Sequence, residues 1–222
     1  MVRWTAAGTG AILRDMLHFY GWATPNSQRV SIMLEELQIS YAVTGVNIRR
    51  SEQSVPAILA LNPYGRIPIL VDDDPPLVLF ESGAILLHLA EAHGRFLPAS
   101  GPARAAALSW LMVALTSLGP MTGQAHHWTE LAPVRPEEPR RHTTALVARA
   151  WRVLDARLRT APFLGGDAYG IADIAAWPWI ARGAWAEMTL DDHPGLARWY
   201  AGVGARPGVQ RGMTIPKGAK LE

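Results

Sequence analysis

The chain of 222 residues is 49% hydrophobic, enough to bury a sizeable core as one large domain or two smaller ones, and its formal net charge is only +2. Lys and Arg are scattered among acids, so no basic stripe tracks phosphates, and neither nucleic acid nor a membrane surface is expected as a partner. With no cysteine in the sequence, disulfides, thiolate metal sites, a Cys nucleophile and a Cys-x-x-Cys redox pair are excluded, and any thiol chemistry must arrive with a ligand.

No uninterrupted apolar run reaches the roughly 18 residues of a membrane span, and residues 1–15 lack a long apolar stretch with a clean cleavage site. A cytoplasmic protein with a short N-terminal extension over 1–15 is the expectation. Leu221-Glu222 reads as a cloning remnant and is left aside.

In chain order, Leu17 to Tyr20 is a short apolar run, and Thr24-Pro25-Asn26-Ser27 carries helix-start signals: a proline for the first turn and Thr24 or Asn26 to cap it. Val30, Met33, Leu34 and Leu37 then recur at helical spacing, which predicts a helix with one apolar face. Tyr41 to Asn47 alternates as a strand, and Val55 to Leu61 predicts a short helix ending before Asn62-Pro63. Ile67 to Val71 and Leu77 to Phe80 flank Asp72-Asp73-Asp74-Pro75-Pro76, a hairpin pattern. Glu81-Ser82 opens a helix stopped by Gly94. The order is βαβαββα over residues 16–94. A Pro/Gly-bearing linker over 95–102 leads to 103–220, where strand signals vanish and helical spacing, as in Ala150, Val153, Leu154 and Leu158, takes over.

This α/β plus all-α layout, and several motifs within it, resemble the cytosolic glutathione transferases of the nu class, a bacterial group that includes glutathione-dependent disulfide-bond reductases. The segment from Thr24 to Leu37 is similar to their first loop and helix. Asn62-Pro63-Tyr64-Gly65-Arg66-Ile67-Pro68 resembles the stretch before a cis-proline, and Leu79-Phe80-Glu81-Ser82-Gly83 the motif that holds a γ-glutamyl group. Gly123-Gln124-Ala125-His126-His127-Trp128 and the run from Gly170 to Trp179 resemble parts of the second domain. The resemblance spans about Leu17 to Gly212 in the family's order. It implies a thioredoxin-like domain followed by a helical bundle, a homodimer, and glutathione as co-substrate with no metal.

A glutathione site must bind a zwitterionic end, align a short peptide with a strand and stabilise a thiolate. By the resemblance Glu81 takes the ammonium and Ser82, at a helix start, the carboxylate; alone, the pair would read as a plain N-cap. Ile67 and Pro68, if the bond between them is cis, dock the cysteinyl backbone as an added strand; an ordinary X-Pro bond would be trans. For the thiolate, the resemblance puts Asn26 first and Thr24 second, as donors that need not ionise, although both also serve as caps. Tyr20 is the rival donor, or a packed strand aromatic. Gln53 matches a glutamine that contacts glutathione, and Arg66 stands where a cation meets the glycine carboxylate; both also suit solvated loops. Around the second substrate the resemblance places His126, His127 and Trp128. The two histidines point about 100° apart on a helix and so do not share a metal.

Two departures stand out. Where family members carry an arginine near the start of the fifth helix, this chain has His142 beside Arg140 and Arg141. The Ser/Thr cap before Ile-Ala-Asp is Gly170, with Asp173 still placed to bond back to the cap N–H. The implied function is attack by bound glutathione on small electrophiles, organic hydroperoxides or disulfides. The alternative is a non-catalytic transferase-like module that mediates protein association.

Overall fold

The computed structural model describes residues 17–73 and 75–218. The expected extension over 1–15 lies outside them. The first half is β1 (Leu17–Gly21), α1 (Pro25–Leu37), β2 (Tyr41–Gly45), α2 (Pro56–Leu61), β3 (Ile69–Asp73), β4 (Pro76–Phe80) and α3 (Ser82–His93). This is the βαβαββα order, with strands arranged β2-β1-β3-β4. β1 runs parallel to β2 and antiparallel to β3, so Tyr20 stands opposite Thr44 on one side and Ile69 on the other. β3 and β4 close the hairpin, from Ile69 opposite Phe80 to Asp73 opposite Pro76.

Neighbouring side chains on a strand face opposite ways. Phe19 joins Val30, Met33, Leu34, Leu86 and Leu89 under α1 and α3. Tyr20 packs instead with Val46, Ile58 and Ile69 on the α2 side.

The helical half follows as α4 (Gly101–Val113), α5 (Gly119–His126), α6 (Glu137–Thr160), α7 (Ile171–Ile180), α8 (Pro194–Gly204) and α9 (Pro207–Gly212). α4 starts at Gly101, two residues before the expected 103. α4 and α5 join through a π-turn at Ala114–Leu118, and a second π-turn at His127–Leu131 extends them into one 31-residue helix. By length and composition that helix is able to cross a membrane. The expectation of no such span rested on uninterrupted runs and missed it. Its Leu111, Ala114 and Leu118 are fully buried in the bundle core.

The sequence predicts one apolar face on α1, yet its polar face is buried as well, because α7 and α9 pack on the side away from the sheet. Most polar groups there find partners, as burial demands, although Gln28 Oε1 has none among the described residues. Ser31 Oγ donates to Gly212 O at 2.7 Å, Gln28 Nε2 to Met213 O at 3.3 Å, and Glu36 takes Arg206 through both carboxylate oxygens at 2.8 and 2.7 Å. α9 approaches this closely because it presents glycine: a Cβ on Gly212 would lie 2.5 Å from Ile32 Cα.

At α7, Gly170 N–H donates to Asp173 Oδ2 at 3.0 Å, which is the bond expected despite the missing Ser/Thr cap. Asp173 Oδ1 also accepts from Leu164 N at 2.9 Å and Trp199 Nε1 at 2.7 Å.

Candidate functional site

The N-terminal ends of α1 and α3 open onto one cleft of about 560 Å³, closed on the far side by the long helix and α7. Asn26, Arg29, Arg66, Glu81 and Ser82 line the first wall; Met112, Leu115, Pro120, Gly123, Gln124 and Trp179 line the second. Four of the side chains expected from sequence, Asn26, Arg66, Glu81 and Ser82, therefore meet at one place.

Thr24 caps α1: its Oγ1 accepts Ser27 N–H at 3.3 Å and donates to Ser27 Oγ at 3.1 Å. Its one hydroxyl proton is thus engaged in the cap, and Thr24 is not among the cleft residues. Asn26, two residues further on, points the other way. Its Oδ1 accepts from Arg29 Nη1 at 2.7 Å and from Trp179 Nε1 at 3.2 Å.

Arg29 is the residue that sequence reasoning missed. It is only 3% exposed, and its guanidinium donates to Ala175 O at 2.7 Å, Ala114 O at 3.0 Å and Ser82 Oγ at 3.1 Å as well as to Asn26. Burial pushes it down to about 9, with the Glu81 carboxylate pulling the other way, so at neutral pH it remains a cation. The signal was present: a basic residue three positions after Asn26 shares its helical face. Trp179, also unassigned from sequence, lies within the quoted Gly170 to Trp179 run.

Glu81 precedes α3 with φ 69° and ψ 114°, a backbone region that L-residues rarely adopt, and its side chain is exposed. Ser82 begins the helix and is 5% exposed. The Ile67-Pro68 bond is cis. Ile67 precedes the first β3 pair and takes no backbone hydrogen bond among the described residues, so its N–H and carbonyl are open to an added strand. Arg66 is exposed, with its guanidinium 4.5 Å from the centroid of the Tyr64 ring. Gln53 sits in a 3-10 turn outside the cleft lining, its Oε1 buried without a partner among the described residues.

Several expected residues are not brought into the cleft. Tyr20 lies on the α2 side of the sheet, stacked on His18 at 4.4 Å, and burial followed by the Asp73 carboxylate raises its phenol, which keeps it neutral. His126 is stacked on Trp185 at 3.9 Å and held to Glu130 at 3.2 Å; burial lowers its imidazole while Glu130 opposes that. His127 meets Trp128 edge-on. His142 is exposed on α6, and neighbouring Arg140 is paired with Glu187. The second wall is formed instead one turn earlier on the long helix, at Pro120 to Gln124. No group of three metal-ligating side chains gathers among the described residues.

Residues 23–92 match the family profile described as glutathione S-transferase, N-terminal domain, and residues 137–202 that described as glutathione S-transferase, C-terminal domain. The chain is 38% identical over 205 residues to the disulfide-bond oxidoreductase YfcG of Escherichia coli, covering 89% of this chain and 94% of that one. It is 37% identical over 215 residues to YghU of the same organism, covering 90% and 74%. Among solved structures, it resembles a Burkholderia graminis glutathione transferase with two glutathione molecules bound per subunit, at 36% identity and a TM-score of 0.85 over 92% of this chain and 90% of that one. A Pseudomonas putida glutathione transferase with one glutathione disulfide bound per subunit superposes with a TM-score of 0.87 at 34% identity, over 93% and 94%.

Proposed function

The chain belongs to the glutathione S-transferase family, and on that premise we propose that it is a nu-class enzyme that uses bound glutathione as its nucleophile, with disulfides as its main substrates. One observation carries this reading: two helix N-termini, one carboxylate and two cations converge on a single cleft. That set complements a peptide with one ammonium, two carboxylates and a thiolate. Glu81 faces the ammonium, the α3 start at Ser82 the adjoining carboxylate, and Arg66 the glycine carboxylate. The cysteinyl backbone pairs with Ile67, and the sulfur meets Asn26 at the α1 start. Neutral amide donors, the helix dipole and the buried Arg29 charge all favour thiolate over thiol.

Disulfide reduction then balances without any protein thiol. The glutathione thiolate attacks one sulfur of the substrate, the S–S bond breaks, and the leaving thiolate takes a proton. A second glutathione resolves the mixed disulfide, giving glutathione disulfide and a second reduced thiol. The relatives named as disulfide-bond oxidoreductases, and the neighbours with two glutathiones or glutathione disulfide bound, support this over simple conjugation. Conjugation and hydroperoxide reduction use the same thiolate and are proposed as side activities of a cytoplasmic homodimer.

The test is calorimetric titration with glutathione, together with turnover of a small mixed disulfide, for wild type, Asn26→Ala and Tyr20→Phe. Losing a donor to an anion is expected to lower kcat/KM by roughly 10- to 1,000-fold for Asn26→Ala, with little effect from Tyr20→Phe. A larger loss in Tyr20→Phe, or no glutathione binding by wild type, overturns the proposal; the latter outcome favours the protein-association module.

A further inference from the structure

The Asn26 carboxamide sits between two groups that only donate. Arg29 Nη1 and Trp179 Nε1 both reach Oδ1, at 2.7 and 3.2 Å. Neither a guanidinium nor an indole N–H accepts, so the inverted amide would set N–H against N–H twice. The carboxamide therefore has one orientation, with Nδ2 turned away from both donors and without a partner among the described residues. Arg29 cannot swing away from this contact, because Ala175 O and Ala114 O hold its Nε and Nη2. Trp179 is braced edge-on against Trp185, at 6.4 Å and 79°.

We infer that Arg29 and Trp179 are positioning residues for Asn26: together they lock its carboxamide with the N–H pair presented to the ligand's sulfur. Arg29 Nη1 also donates to Ser82 Oγ at 3.1 Å, so one guanidinium sets the geometry of both the thiolate end and the γ-glutamyl end of the ligand. The inference rests on the glutathione reading proposed above. An unlocked asparagine rotates, and in half of its orientations it presents a carbonyl oxygen to an anion. The lock removes those states before the ligand arrives, which is preorganisation of a charge-stabilising donor.

The experiment is a double-mutant cycle read on the bound ligand. The pKa of the bound glutathione thiol is followed by ultraviolet thiolate absorbance against pH, and affinity by calorimetry, in wild type, Trp179→Phe, Asn26→Ala and the double variant. Trp179→Phe keeps an aromatic ring but removes the indole N–H together with the pyrrole ring, so an effect of lost bulk alone would appear equally in the Asn26→Ala background. The substitution is expected to raise the bound thiol pKa and lower kcat roughly 3- to 10-fold, the cost of about one hydrogen bond, with glutathione Kd changed by less than about twofold. In the Asn26→Ala background the same substitution is expected to change nothing further, since its route of action is gone. Arg29→Met should lower kcat more, roughly 10- to 100-fold, because charge is lost with the hydrogen bond, and Arg29→Lys should recover part of it.

If Arg29→Met does not fold, the Trp179 cycle still decides. An unchanged thiol pKa in Trp179→Phe, or an equal effect in both backgrounds, overturns the lock while leaving glutathione binding intact. Failure of wild type to bind glutathione removes the ligand reading and the lock with it.

Discussion

Gly119 and Trp179 meet with no room for a side chain between them: a Cβ on Gly119 would lie 3.1 Å from Trp179 Nε1 and 3.2 Å from Arg29 Nη2. Such a contact is a few tenths of an ångström too tight. Replacing glycine by alanine within a helix contributes up to about 1 kcal/mol of stability, which offsets the steric cost. Gly119→Ala is therefore expected to keep its melting temperature while losing activity several-fold, because Trp179 and Arg29 are the groups that give way. Gly119→Val should lose both. Thermal unfolding and disulfide turnover on the same preparations check this, and full activity in Gly119→Val would show that the contact is without consequence.

Glu81 holds φ 69° and ψ 114° where glycine would sit without strain. A non-glycine residue in such a region costs on the order of 1–3 kcal/mol. Glu81→Gly is expected to raise stability by about 1 kcal/mol or more in a denaturant titration and to weaken glutathione binding by roughly tenfold, the loss of a charge-assisted contact. Glu81→Gln should weaken binding without stabilising. If Glu81→Gly binds glutathione as tightly as wild type, the carboxylate does not hold the ammonium and the strain has some other origin.

Asp173 is fully buried, and burial pushes its carboxyl up to about 6 although three N–H groups donate to it. A raised carboxyl pKa means that the folded state binds more protons than the unfolded one between about 4 and 6. This group's contribution to stability is therefore largest below that window and falls as pH rises through it, by up to about 3 kcal/mol for a two-unit rise. Asp173→Asn, which does not titrate, should be far less stable than wild type at pH 4, with the gap narrowing by pH 7. Melting temperatures of both proteins across that range give the difference curve; a gap that widens with pH refutes the assignment. Asp173→Ala strands all three donors and should cost about 3 kcal/mol or more at any pH.

Because the chain has no cysteine, pretreatment with iodoacetamide followed by desalting should leave disulfide turnover unchanged, whereas a reductase with its own reactive thiol is inactivated. Intact-protein mass during turnover should show no covalent glutathione adduct. An adduct of that mass would place a covalent step on the protein itself.

The sequence alone determined the local elements. Proline after Thr24, apolar residues at helical spacing from Val30 to Leu37, the acid- and proline-rich hairpin turn and the Gly94 stop are all written in short stretches of chain, and the βαβαββα order followed from them. Asn26, Arg66, Glu81 and Ser82 were named from the motifs around them by resemblance, and the structure brings these four to one cleft. Asn26, Glu81 and Ser82 stand at helix starts that their own neighbours define, Arg66 in the loop before β3. What the tertiary structure alone decided involves partners far apart in sequence. Arg29 finds Ala114 and Ala175, 85 and 146 residues away, and Trp179 reaches Asn26 across 153. Periodicity along a helix reports which face meets the nearest layer, and on α1 that was the sheet. It does not report that a second layer, α7 and α9, buries the opposite polar face. Nor does the sequence say which side of β1 becomes the site: Tyr20 and Phe19 are adjacent, and only the packing of Ile58 and Val46 over Tyr20 puts its hydroxyl on the α2 side of the sheet, outside the cleft. His126, His127 and Trp128 lie beyond the stretch of the long helix that lines the cleft, Pro120 to Gln124, and which turn of that helix faces the cleft is decided by how it packs in the tertiary structure.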